Sequence, residues 1–214
     1  MSALGSERVA PANADVQRPL GAAPWISAAT VVVVLLALAD RYGFHRDELY
    51  FLIDGRHPAF GYDDQPPVTP LLARAQQAVF GDSPLAIRVW PALVAGTVVV
   101  LAAVMCRDLG GGRRAQAMTA VAVAASPGVL LAGHLLSTEV TDLLLWQVVL
   151  LLAVRALRDD RPKLWLAVGL VVGIGLQNKD LVGFLAVALI VGLVISWGTW
   201  RQVASCGSAA SSRL

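Results

Sequence analysis

Charge is scarce in this chain. Asp, Glu, Lys and Arg together make up 15% of its 214 residues, and 57% of the residues are hydrophobic, whereas charged residues form about a quarter of a soluble domain. So few charges cannot cover a water-facing surface, which excludes an ordinary globular domain and points to lipid as the apolar environment. Cysteine is nearly absent. Cys106 and Cys206 both fall on the side that the basic residues mark as cytoplasmic, so no structural disulfide is expected. Lysine is rare beside arginine, a bias that suggests a GC-rich bacterial genome. The net charge of +2 gives no reason to expect nucleic acid as a partner. A nucleotide loop is missing as well: Gly173-Ile174-Gly175 lies in an apolar run with no strand before it and reads as packing.

What the chain has in abundance is long apolar runs. A spanning helix needs roughly 20 apolar residues, and six segments qualify: 22–39, 84–106, 115–133, 141–157, 164–176 and 181–197. The fifth is short and rich in glycine, and Ser126-Pro127 predicts a kink in the third. The expected fold is therefore an all-α polytopic membrane protein of about six transmembrane helices. Residues 1–20 read as a disordered cytoplasmic lead, 21–197 as the membrane unit and 198–214 as a polar tail. Lys and Arg near span ends stay preferentially in the cytoplasm. With the N-terminus inside, Arg107, Arg113, Arg114, Arg155, Arg158, Arg161 and Lys163 are cytoplasmic, and the loop 40–83 is external, on the side that holds ten of the fifteen carboxylates. The expected location is the bacterial plasma membrane, as a multi-pass protein surrounded by the lipid bilayer.

The segment 41–88 is the only long one that mixes carboxylates, histidines, arginines, aromatics and paired prolines. Residues 46–54 have helical spacing that puts Asp47, Tyr50, Phe51 and Asp54 on one face, in a helix lying along the membrane surface. Pro66-Pro67 and Pro70 exclude regular helix or a central strand there, so 57–70 is a rigid, extended turn. Residues 68–80 then form a second short helix with Leu71, Leu72, Ala75 and Val79 on its apolar side. Ser83 is the expected N-cap of the next span and Pro84 its first residue. Arg88 sits in the first turns of that span, where an unpaired charge is costly, and is expected to face the external loop or its ligand. Two further external turns carry Glu139 with Asp142, and Lys179 with Asp180. A small transporter fits less well, because the charges gather in one outer layer rather than at mid-membrane.

Asp47-Glu48 ahead of an aromatic helix, the turn Gly61-Tyr62-Asp63-Asp64-Gln65-Pro66-Pro67, and Gly81-Asp82-Ser83-Pro84 with Arg88 resemble glycosyltransferase family 39. That group includes protein O-mannosyltransferases and lipid A aminoarabinose transferases, all of the membrane GT-C fold. Asp142 and Lys179 also match positions where such proteins carry Asp and Lys. The resemblance covers about residues 25–197 and is to the N-terminal half only, since members are much longer. It implies a polyprenyl-phosphate-linked sugar as donor, an acceptor (protein, glycan or lipid) outside the cytoplasm, and inverting transfer.

On this resemblance Asp47 is the base, a role that partial desolvation at a membrane surface favours. Glu48, about 100° round the helix, would be the second catalytic carboxylate, orienting, binding acceptor or supporting a metal. Substrate binding would fall to Arg46, Tyr50, Asp64, Gln65, Arg88, Asp142 and Lys179, the cations meeting the charge on the leaving phosphate. Gln65 stands where relatives often have His or Lys. A divalent metal could be held by Asp64 and Asp142, or by Glu139, with His45 or His57; oxygen and imidazole ligands suit several metals. The alternative is a truncated, non-catalytic membrane protein that binds a lipid phosphate or a partner through the same loop.

Overall fold

The computed structural model describes the backbone of residues 19–211 and the side chains of residues 19–196. The predicted lead, except for its last two residues, and the side chains of the predicted polar tail lie outside the described residues. Every regular element among the described residues is a helix.

The first helix, α1, runs over Ala22–Leu38. Two short helices follow, α2 over Arg46–Arg56 and α3 over Val68–Phe80. The fourth, α4, spans Pro84–Asp108 and starts where the sequence predicts. Its first amides are satisfied by Ser83 Oγ, which accepts from Ala86 N at 3.1 Å, and by Asp40, which accepts from Leu85 N at 3.1 Å, filling positions that have no intrahelical partner. Helices α5 (Arg113–Ala124) and α6 (Pro127–His134) are one apolar run bent by 54°. The break is at Ser126-Pro127, where the ring removes an amide donor and crowds the preceding turn. Then come α7 over Thr138–Arg158, α8 over Leu164–Leu176 and α9 over Leu181–Ser211.

This is a helical membrane protein. Helices α4 and α7 are each long and apolar enough to cross a bilayer, and α5 with α6 make a third span when taken as one bent helix. Helices α1, α8 and the 181–196 part of α9 are apolar but shorter. These six elements correspond to the six apolar runs in the sequence. Helix α4 is the hub, packing on α1, α3, α5, α6 and α7. Its core with α1 is built from small side chains, Ala28 and Val31 against Ala92, Ala95 and Val99. Small residues let backbones approach closely in lipid, where packing rather than water exclusion holds helices together. Gly96 shows how closely: a Cβ there would lie 2.6 Å from Val32 Cγ2 and 3.3 Å from the Ala28 carbonyl oxygen.

Helices α2 and α3 form a hairpin over one end of this bundle. Gly55 makes the hairpin tight, since a Cβ on it would stand 2.6 Å from the Pro70 carbonyl oxygen. The buried side of α3 is not its apolar side. Thr69, Pro70, Ala73 and Gln76 face the protein, while Leu71 and Val79 are exposed. The small and polar residues make the close packing and cross-links to α2, α4 and α9's approach, and the larger apolar ones point away, an arrangement that suits lipid surroundings. At the far end of the bundle, Asp108 is buried and accepts from Arg155 Nε at 2.7 Å and from Arg107 at 2.9 Å, with Arg158 donating to its carbonyl oxygen. This network joins the ends of α4 and α7.

Candidate active site

Helix α2 is set in place by its own first turn. The His45 backbone amide donates to Glu48 Oε2 at 2.8 Å and His45 Nδ1 accepts from Asp47 N at 3.3 Å, a reciprocal cap that satisfies donors at the helix start. Glu48 is fully buried and takes both prongs of Arg88, at 2.9 Å from Nε and 2.6 Å from Nη2. Its Oε1 also accepts from Leu136 N at 3.3 Å. The guanidinium donates further to the carbonyl oxygens of Ala39 and Gly43 and lies 4.3 Å from the centre of the Tyr42 ring. One ion pair therefore ties α2 to α4, to the turn after α1 and to the turn before α7. Burial is also the main cause that raises the Tyr42 phenol above its ordinary value. With Glu48 turned inward, Asp47, one residue back and about 100° round the helix, comes to the surface with its side chain 48% exposed.

Asp47 opens onto a cleft of about 530 Å³ at the seam of three connections: α2 with the proline turn, the α6–α7 turn, and the α8–α9 turn. On the first wall the Tyr50 hydroxyl donates to Asp64 at 2.5 Å. That bond pushes the phenol's pKa up to about 12, so Tyr50 remains a donor at any physiological pH. Gln65, on the same wall, donates its amide to Asp54 at 2.7 Å, and Tyr62 donates to the Asp54 carbonyl at 2.9 Å. Across the cleft Lys179 Nζ meets Glu139 at 2.5 Å.

The seam is closed by a residue the sequence reading passed over. Asn178 is fully buried, accepts from Thr69 Oγ1 at 2.8 Å and donates to the Thr138 carbonyl at 2.9 Å. Beside it Val68 N donates to the Gln177 carbonyl at 3.1 Å. These bonds fix all three connections to one another. The only signal in the sequence is an asparagine in a polar turn, which by itself reads as turn chemistry.

Of the residues singled out from the sequence, Asp47, Tyr50, Asp64, Gln65 and Lys179 line the cleft together. Arg46 stands in solvent, its side chain 91% exposed and 3.2 Å from Asp47. Glu48 and Arg88 lie behind the site, spent on each other; Arg88 faces the backbone of the turn after α1 and not the cleft. Asp142 is buried in α7, one turn beyond the cleft-lining Thr138 and Glu139, with Oδ1 lacking a hydrogen-bond partner among the described residues. His45 is a helix cap and His57 ends α2. Among the described residues no three His, Cys, Asp or Glu side chains come together as metal ligands.

Chemically the cleft offers an accessible carboxylate, a fixed phenol–carboxylate pair and one ammonium. Such a set can accept a proton, hold hydroxyls and meet a developing anion. No curated protein and no solved structure matches the chain. The family model described as dolichyl-phosphate-mannose-protein mannosyltransferase matches residues 64–210, a stretch that takes in Asp64, Gln65, Glu139, Asp142 and Lys179 and begins after α2. On that match, which covers well over half of the sequence, the chain belongs to the dolichyl-phosphate-mannose-protein mannosyltransferase family, the membrane glycosyltransferases of family 39.

Proposed function

We propose that this chain moves a sugar from a polyprenyl-phosphate carrier to an acceptor hydroxyl on the extracytoplasmic face of the membrane, with inversion and with Asp47 as general base. The observation that carries this reading is the convergence of Asp47, Tyr50, Asp64 and Lys179, from distant parts of the sequence, on one cleft at one end of an apolar bundle. The basic residues support the orientation. Arg107, Arg113, Arg114, Arg155, Arg158, Arg161 and Lys163 all lie at the other end, which the preference of Lys and Arg for the cytoplasm assigns to the inside.

In this reaction the acceptor oxygen attacks the anomeric carbon as Asp47 takes its proton. The bond from that carbon to the phosphate oxygen breaks, its electron pair leaves on the polyprenyl phosphate, and the sugar passes through an oxocarbenium-like state. A single displacement inverts the anomeric centre. Lys179 meets the charge that develops on the leaving phosphate, where a cation placed in advance is most effective. The Tyr50–Asp64 pair presents a donor fixed by hydrogen bonding to the sugar or acceptor hydroxyls. Arg46 at the rim is placed to attract the anionic headgroup.

Asp47→Asn preserves size and removes the base. The purified variant, inserted in the membrane as wild type, is expected to lose transfer by about 10²-fold or more, the scale of general-base catalysis. Turnover equal to wild type would remove Asp47 from the mechanism. Protease protection that put residue 47 on the cytoplasmic side would remove the proposed orientation.

A further inference from the structure

Lys179 is the one cationic side chain among the described residues that line the cleft, and it is already engaged. Its ammonium lies 2.5 Å from Glu139 Oε1, and the other Glu139 oxygen accepts from Thr138 Oγ1 at 3.3 Å. A phosphate entering the cleft meets Asp47, Asp64, Glu139 and Asp180 before it finds a free positive charge. It competes with Glu139 for the charge of Lys179.

The geometry makes that exchange easy. The Glu139 side chain is 60% exposed and that of Lys179 29%, so the pair is screened by water and weak, as exposed pairs are. Glu139 also belongs to the first turn of α7, where the helix dipole favours a carboxylate that has lost its partner. The donor's phosphodiester matches the single charge and two free oxygens of the carboxylate it displaces, and the monoester left after transfer carries more charge and a third acceptor oxygen.

Resting on the transfer reading above, we propose that Glu139 is the resting counter-ion of Lys179, displaced by the donor's phosphate and returning when the spent polyprenyl phosphate leaves. Glu139 is then a residue that sets affinity. It keeps the anionic product from lingering on the one cation among the described cleft residues, and disfavours anions that bind too weakly to displace it.

The test is a titration of the purified full chain in detergent with farnesyl phosphate and, separately, with inorganic phosphate. Wild type is compared with Glu139→Gln, Glu139→Ala, Lys179→Met and the double variant Glu139→Gln/Lys179→Met. Removing the competitor is expected to tighten farnesyl phosphate binding roughly two- to fivefold in both Glu139 variants, the range for an exposed pair. Lys179→Met is expected to weaken it by about tenfold or more, and the double variant to match Lys179→Met. Stronger product inhibition by farnesyl phosphate in Glu139→Gln would support the same exchange, which a purely structural role would not produce. Binding that is unchanged or weaker in both Glu139 variants, with Lys179→Met still impaired, would overturn the exchange and leave the phosphate site standing. Wild-type binding in Lys179→Met would instead overturn the placement of the phosphate, and with it the transfer reading. Farnesyl phosphate binding more tightly than inorganic phosphate assigns the site to a lipid carrier; equal binding of the two would overturn that assignment.

Discussion

Taking the charge from Glu48 while keeping its shape tests whether the Glu48–Arg88 pair is scaffold. In Glu48→Gln the guanidinium of Arg88, 1% exposed, keeps its carbonyl partners in the turn after α1 but loses a carboxylate held at 2.9 and 2.6 Å. Stranding one member of a buried pair costs about 3–5 kcal/mol. Glu48→Ala is expected to cost more, because the amides of His45 and Leu136 lose their acceptor too, at about 1–3 kcal/mol for each buried donor left unpaired. Arg88→Met strands the carboxylate instead. The double variant Glu48→Gln/Arg88→Met removes both charges and leaves an amide whose carbonyl oxygen still accepts from one of those two donors. It is therefore expected to be more stable than the sum of the two single losses by roughly 0.5–3 kcal/mol, as residues in direct contact couple. SDS-induced unfolding of the purified chain in mixed micelles, followed by helical circular dichroism, measures all four. A Glu48→Gln variant within about 1 kcal/mol of wild type, far below the cost of an unpaired buried charge, would refute the reasoning. So would a double variant whose loss equals the sum of the singles.

Two further predictions concern the cleft itself. Asn178→Ala removes the acceptor of Thr69 and the donor to Thr138, at an expected cost of about 1–3 kcal/mol; hydrogen exchange should quicken at residues 66–69 and 138–139 with the α1–α4 core unchanged, and equal protection at those turns would show that Asn178 is not their link. The Tyr50 phenol, pushed up to about 12 by Asp64, contributes stability that is complete below its ordinary value of 10.0 and is lost as pH rises through about 12. Absorbance at 295 nm across that range should show a late-titrating phenol that Asp64→Asn returns toward the ordinary value, and an unchanged curve in Asp64→Asn would remove the hydrogen bond as its cause.

The features legible in the sequence were those set by local composition. Apolar runs long enough for a bilayer needed no tertiary information, and the 54° break at Ser126-Pro127 follows from the missing proline donor. The helix face carrying Asp47, Tyr50, Phe51 and Asp54 was likewise a matter of spacing; the first three line the cleft, while Asp54 accepts from Gln65 instead. Helix α3 marks where spacing stops being enough. Its periodicity finds the apolar side, but beside lipid an apolar side need not face protein, and here Thr69, Ala73 and Gln76 are the buried ones. Partners far apart in sequence were not legible at all. Glu48 and Arg88 are 40 residues apart, and Asn178 is 109 residues from Thr69; each polar residue alone looks like a candidate for chemistry. What separates the two uses is accessibility. Asp47 and Glu48 are neighbours of the same charge, yet a turn of about 100° puts one carboxylate in the cleft and the other, fully buried, under α2 as the counter-charge that holds the helix. A charge at the edge of a membrane can therefore serve as scaffold when an opposite charge neutralises it and its remaining lone pairs and donors are bonded; only one left open to a cleft can take part in chemistry.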